Sequence, residues 1–574
     1  MVVMRMPSIV LWVVAAAALA ADPAAAASPA ASPAPGACHE RPDPIALEAD
    51  PRTATGPIAP VLKDLGKNHH AVTTKSQKAQ AFFDQGLLLT YGFNHMEALR
   101  AFKEAARLDP DCVMAYWGWA LVLGPNLNLP MKPEMATRAW EALQMAQERK
   151  EKASPKERDY IEALATRYAA DPEADRAALD RAFADAMRAL HRKYPEDNDA
   201  ATLFAASLME ASPWNYWTRD GKPHETTPEI LATLEGVIAR DPEHEGALHY
   251  YIHAVEAADP MRGLKAADTL IGLAPGAGHL VHMPSHIWIQ LGRYRESFDA
   301  NGRAAQADEG YITQCMSQGL YPLGYYPHNV HFQAWAALLQ GRSAAALEMA
   351  RKLQSKVPQD LHGNDWSIYE TFLSMPLFAM VRFGLWEQVL AEPRPKETTP
   401  YWTGIWHFAR GMAYAHTRRP RDARAELLAL SRLADAPASA EHHIGFSNAG
   451  KLLSIAREVL GGEIDAKAGR FDAAIRRLDR AARLQDGLAY TEPPDWYYPV
   501  RHTLGAVLLE AGRPDEAESV YWQDLKKNRE NGYALFGLVK SYEAQGRAED
   551  ASAAKERFHA AWSDADVTLT SSRF

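Results

Sequence analysis

The sequence predicts an all-α protein built from stacked helical hairpins, and three recurrences predict it. A Gly-Arg turn returns at Gly292-Arg293-Tyr294, Gly341-Arg342-Ser343, Gly469-Arg470-Phe471, Gly512-Arg513-Pro514 and Gly546-Arg547-Ala548, the last two 34 residues apart. Prolines close helices at Pro110, Pro242 and Pro275. Small and aromatic anchors recur within helices, as at Gly86, Ala98, Phe102 and Ala105 ahead of Pro110. Small residues let the two helices of a hairpin approach, and the aromatic fills the space between neighbours. No sheet is expected.

Along the chain, residues 1–21 have the form of a secretory signal. Arg5 supplies the positive start, Ile9 to Ala20 is apolar, and Ala18-Leu19-Ala20 offers small residues for cleavage. A mature N-terminus between Ala21 and Ala27 is expected, in a bacterial periplasm or secreted. The apolar run is shorter than the roughly 20 residues a membrane span needs, and no cysteine stands at the cleavage point to take a lipid. No later segment is apolar enough to span a membrane, so no transmembrane segment is expected after cleavage. Residues 22–65 are rich in Ala and Pro and are expected to form a flexible tether. Repeats follow in three blocks, an N-terminal one at 66–240, a histidine-rich central one at 241–360 and a C-terminal one at 361–574.

Composition excludes several function classes. At 574 residues the chain can bury a large core. The net charge of -10 is spread along its length, so nucleic acid is not an expected partner. Three cysteines, Cys38, Cys112 and Cys315, form no Cys-x-x-Cys or haem-attachment motif and are too few for a disulfide framework. No Ser-His-Asp arrangement, Gly-x-Ser-x-Gly, phosphate loop or dinucleotide fingerprint is present.

The hairpin grammar of 82–110 and of the last three Gly-Arg units resembles the tetratricopeptide repeat, a helix-turn-helix unit of about 34 residues. The resemblance runs from about residue 75 to 562 and is looser between about 132 and 240. It implies a right-handed superhelical solenoid whose first helices line a concave groove. It also implies a peptide, protein or small-molecule ligand in that groove. The runs Ala115-Tyr116-Trp117-Gly118, Gly124-Pro125-Asn126-Leu127-Asn128 and His282-Met283-Pro284-Ser285-His286-Ile287 further resemble a group of exported bacterial repeat proteins to which no reaction is attached.

Seven of the 21 histidines lie between His249 and His331, in register on three hairpins. His249 and His253 follow Pro242 by 7 and 11 residues, and His282 and His286 follow Pro275 by the same intervals. His279 and His282 precede Gly292 by 13 and 10 residues, as His328 and His331 precede Gly341. A spacing of four on a helix puts two rings on one face within reach of one ion. Neutral imidazole is the commonest protein ligand of Zn, Cu, Ni and Fe, which the sequence does not distinguish. The expected ligands are His249, His253, His282 and His286, with His331 completing the site and His279 and His328 flanking it. Glu256, three residues after His253, can supply a carboxylate ligand or an acceptor that holds the histidines from behind. Met283 would favour a soft metal. The pairs are not a His-Glu-x-x-His motif, because Met283 follows His282 and Tyr250 follows His249. The resemblance points these rings into the groove, away from the helix-helix core. Affinity should fall below the ordinary histidine pKa of about 6.5.

Three aromatic connections interrupt the repeats: Trp214, Tyr216 and Trp217; Tyr311, Tyr321, Tyr325 and Tyr326; and Tyr490, Trp496, Tyr497 and Tyr498. The Tyr-Tyr-Pro run in the last two reads either as a lid or as a proline-started helix with packed aromatics. His69-His70 and His442-His443 read as solvated pairs, and His95 as a structural contact. Two functions remain. One is a metal-binding groove, for metal handling or metal-dependent catalysis. The other is a metal-free module that binds a peptide or glycan.

Overall fold

The computed structural model describes residues 44–131, 133–315, 321–357, 366–395 and 399–573; the expected signal segment, Cys38 and the first part of the tether lie outside them. Antiparallel helical hairpins make up nearly all of it, as the turn pattern predicts. A single two-stranded hairpin, His443–Ile444 with Ser447–Asn448, departs from the expectation of no sheet. No described helix is long and apolar enough to cross a membrane. Cys112 and Cys315 form no disulfide.

The chain divides into two compact units, one running to Ile287 and including Arg303–Tyr326, the other made of Trp288–Gly302 and Pro327 onward. This division falls inside the central block 241–360 and at neither of its edges. In the first unit Gln77–Tyr91 pairs with His95–Leu108, Asn198–Ala211 with Thr227–Arg240, and Glu245–Val255 with Leu264–Leu270. In the second, Val500–Glu510 pairs with Pro514–Lys527 and Gly532–Ala544 with Ala548–Ala561.

The anchors work as the sequence suggests. A Cβ built at Gly86 would stand 2.7 Å from the Phe102 ring, and one at Gly118, on the next first helix, 2.5 Å from it. One buried ring thus wedges between two glycine-bearing helices. Tyr521 repeats the device between Gly505 and Gly537. Gly537→Ala should therefore overpack a closed contact and destabilise by about 1–3 kcal/mol. A thermal or urea melt checks this, and an unchanged midpoint would show that the tyrosine has room to move.

Residues 44–65 are not a loose tether. Ala46, Leu47, Ile58 and Ala59 are buried. The Lys103 ammonium donates to the carbonyls of Ala46 (2.8 Å) and Leu47 (3.0 Å). Ile58 donates its N–H to Glu104 and accepts from Arg100 through its carbonyl. A few apolar residues among the prolines suffice to seat this stretch on helix His95–Leu108. In the second unit, Ile289, Tyr294, Phe332, Trp335 and Leu339 form a core cluster, and the Trp335 indole donates to the Tyr497 carbonyl (3.1 Å).

Candidate metal centre

Five of the seven histidines come together in the first unit. His249 and His253 share a face of helix Glu245–Val255, whose N-terminus is capped by the His244 ring accepting from the Ala247 N–H (3.2 Å). Helix Gly278–His282 carries His279 and His282. The helix breaks at Met283, and His286 stands on the next one, Pro284–Gln290. Gly278 is required where it stands, because a Cβ there would run into the Asp308 carboxylate. The Tyr321 hydroxyl donates to Asp308 (2.8 Å) and accepts from the His279 N–H (3.2 Å), fixing the start of this helix.

None of the five rings is more than 4 % exposed. They do not line an open groove, and the reason is the aromatic connections. Tyr325 lies 4.9 Å from His279 between ring centroids, and Trp214 meets His253 edge-on at 5.2 Å. The Trp217 indole donates to the Ala254 carbonyl (2.7 Å), which pins its loop to the end of the histidine helix. Both Tyr-Tyr-Pro runs sit at helix starts with buried tyrosines: Tyr326 opens helix Tyr326–Leu339, and Pro499 caps helix Val500–Glu510.

Phe93 supplies the remaining wall, 4.5 Å from His249, 5.2 Å from His279 and stacked on His253 at 5.9 Å. Its backbone is left-handed, with φ of 57°. At the corresponding turn position elsewhere stand Gly292, Gly341, Gly384, Gly469, Gly512 and Gly546, and in one hairpin Arg418, all at positive φ. A residue with a side chain loses about 1–2 kcal/mol in that conformation. Here the strain places an aromatic ring over three imidazoles, the kind of outlier that marks a functional wall.

Hydrogen bonds assign the tautomers. The Nδ1 of His249 stands 2.5 Å from the Tyr91 carbonyl, which only accepts; Nδ1 therefore carries the proton and Nε2 keeps its lone pair. Burial, with a smaller contribution from His282, lowers the pKa of His249 to about 3, so this ring stays neutral far below the ordinary histidine range. Glu256 lies 3.1 Å from His286 Nδ1 and 3.4 Å from His253 Nδ1. Its carboxylate accepts from His253 and stands beside the Nδ1 of His286, so both Nε2 atoms face away from it, the arrangement in which a carboxylate orients a metal-binding imidazole. The Nε2 atoms of His249 and His279 face each other at 3.2 Å, and those of His282 and His286 at 2.8 Å. A shared proton or a metal ion can satisfy each pair. The ligand nitrogens of His249, His253 and His279 all lie within 4.8 Å of one another.

The other expected ligands belong to the second unit. His331 Nε2 lies 3.0 Å from the Tyr497 hydroxyl. That hydroxyl donates to the Thr371 carbonyl (3.2 Å), so it accepts from His331, whose Nε2 carries the proton. Burial lowers the pKa of this ring to about 3. His331 thus packs within its own unit, against Tyr497. His328 is half-buried against Phe332. Met283 is wholly buried in the core, which gives no support to a preference for soft metals.

Of the two pairs expected to be solvated, His69 and His443 are exposed, but His70 and His442 are not. His70 Nδ1 bonds Asp199 at 2.7 Å, and the Tyr91 hydroxyl donates to the same carboxylate at 2.6 Å, with His244 Nε2 3.3 Å away. Burial opposes ionisation of Asp199, but the hydrogen bonds of His244 and His70 outweigh it and hold the carboxyl below its ordinary range. Burial likewise opposes charge on His70 and His244, and the Asp199 carboxylate outweighs it, raising both. His442 bonds the buried Glu370, with the same upward effect on the imidazole. Tyr91 joins the two histidine groups, because its hydroxyl meets Asp199 while its carbonyl meets His249.

No family model matches the chain, and no curated protein matches it. Among solved structures it is similar to a human IFIT1 dimer with PPP-AAAA, at 12% identity and a TM-score of 0.31, covering 85% of this chain and 92% of that one. The APC/C hetero-tetramer Cut9-Hcn1 is similar at 12% identity and a TM-score of 0.30, over 84% and 76% of the two chains. A tetratricopeptide repeat protein from Parabacteroides merdae follows at 11% and 0.27, over 57% and 92%. This likeness stops at the helical-repeat architecture, which the hairpin packing shows by itself.

Proposed function

We propose that this protein binds a transition metal in the buried cluster of His249, His253, His279, His282 and His286, for metal handling or metal-dependent chemistry. The observation that carries the reading is the pairing of imidazole nitrogens at 3.2 Å and 2.8 Å, with Glu256 turning two of the rings. Nitrogen donors of this kind suit Zn, Cu, Ni or Fe. The helical-repeat fold is consistent with an interaction module. Burial of all five rings, however, takes them out of reach of a peptide or glycan lying along the surface. The reading includes export, resting on Arg5 and the apolar run to Ala20.

Elemental analysis of the full chain, purified without a histidine tag, tests it. Stoichiometric metal, or its uptake from Zn(II), Cu(II), Ni(II) or Fe(II), is expected. A protein that arrives empty and takes up none of the four would leave the peptide- or glycan-binding module as the better reading.

A further inference from the structure

The five rings close a circuit, across which His253 and His279 stand 6.2 Å apart between centroids, while the ligand nitrogens of His249, His253 and His279 lie within 4.8 Å of one another. His249 lies 4.9 Å from His253 and 4.9 Å from His279, and His282 lies 4.7 Å from His286. Longer links of 5.5 Å, His253 to His286, and 5.7 Å, His279 to His282, join the two groups. The facing nitrogens divide in the same way, one close pair in each group. Two imidazole nitrogens bound to one ion at about 2.0–2.1 Å stand roughly 3 Å apart as adjacent ligands, the spacing found within each group. Five imidazoles also exceed the four positions that zinc ordinarily fills. Glu256 spans one of the longer links, reaching His253 in one group and His286 in the other.

Resting on the metal reading, we infer that the cluster is a dinuclear centre. One ion binds His249, His253 and His279, and a second binds His282 and His286, with Glu256 orienting one ligand of each. Three imidazoles leave the first ion an open position, and two leave the second more. Water or a small oxygen-donor ligand held between Phe93, Trp214 and Tyr325 is the chemistry that fits there. Two neighbouring ions can clamp two oxygens of one such ligand.

The test counts ions. Full-length protein stripped of metal and titrated with Zn(II) should take up two per chain. His249→Ala/His279→Ala and His282→Ala/His286→Ala should each keep one. With two Cu(II) per chain, the unaltered protein should show the half-field paramagnetic resonance signal of two coupled ions. That signal decides the matter without a variant, should either double replacement lose its helical circular dichroism. One ion per chain, lost in both variants, would overturn the dinuclear inference and leave the metal reading standing. Two coppers that give the full-intensity signal of isolated Cu(II), with no half-field line, would also overturn it. No uptake at all would overturn both.

Discussion

Replacing His253 and His286 together by alanine is expected to weaken metal binding in both groups, leaving His282 alone in one and the pair His249 and His279 in the other, while the chain remains helical. Each of these rings presents Nε2 to the cluster because its Nδ1 faces Glu256, so the double change removes ligands and uncouples their orienting carboxylate at once. Glu256→Gln alone should be milder, lowering affinity by about 10–100-fold, the usual effect of losing a carboxylate behind a metal-binding imidazole. The double variant should also melt lower without metal, by roughly 2–5 kcal/mol, since both rings are buried and their removal opens cavities. Metal added at 100 times its dissociation constant for the unaltered protein should stabilise that protein by about 2.7 kcal/mol and the variant by less. Equilibrium dialysis followed by elemental analysis, with melts in chelator and in Zn(II), separates the two effects. Metal content unchanged in the double variant would show that the ions, if any, sit elsewhere.

Local regularities made much of this legible. The Gly-Arg turns and the small and aromatic anchors mark hairpins because helix contact and left-handed turns each demand particular residues at fixed spacing. The pair His249 and His253, with Glu256, follows from helix geometry alone, whereas His282 and His286 meet across the break at Met283. What stayed hidden depends on partners far apart in the chain. His331 meets Tyr497 across 166 residues, and His70 meets Asp199 across 129. No periodicity encodes such meetings, so His331 reads as a ligand and His70 as solvated. His279 reads as a flank because its approach to His249 is set by how successive hairpins stack. Burial of the cluster was also out of reach, since it comes from irregular connections. One signal was present: Phe93 stands in a turn where six other hairpins have glycine. An aromatic ring in a position that favours glycine invites the question of what it touches.

Asp199→Asn is expected to destabilise the first unit by about 3–5 kcal/mol, because it removes the buried carboxylate that bonds His70 and faces His244. His70 and His244 are 6 % and 4 % exposed, so neither can turn to water instead. The sign of the pH dependence follows from the shifts. His70 and His244 are raised in the folded protein, so their contribution is complete below an unfolded value of about 6.5 and fades as pH climbs through the raised folded values. Asp199 is lowered; its contribution is complete above about 3.9 and fades as pH falls through the depressed folded value. The gap in melting temperature between unaltered protein and variant should therefore be widest between about pH 4 and 6.5, and should narrow toward pH 8. A gap that is flat across that range would mean that the network holds neutral rings. The variant should weaken metal binding as well, through Tyr91. Its hydroxyl would lose the charged acceptor that anchors it, while its carbonyl is what fixes the His249 tautomer. His249 would then be free to present the wrong nitrogen to an ion.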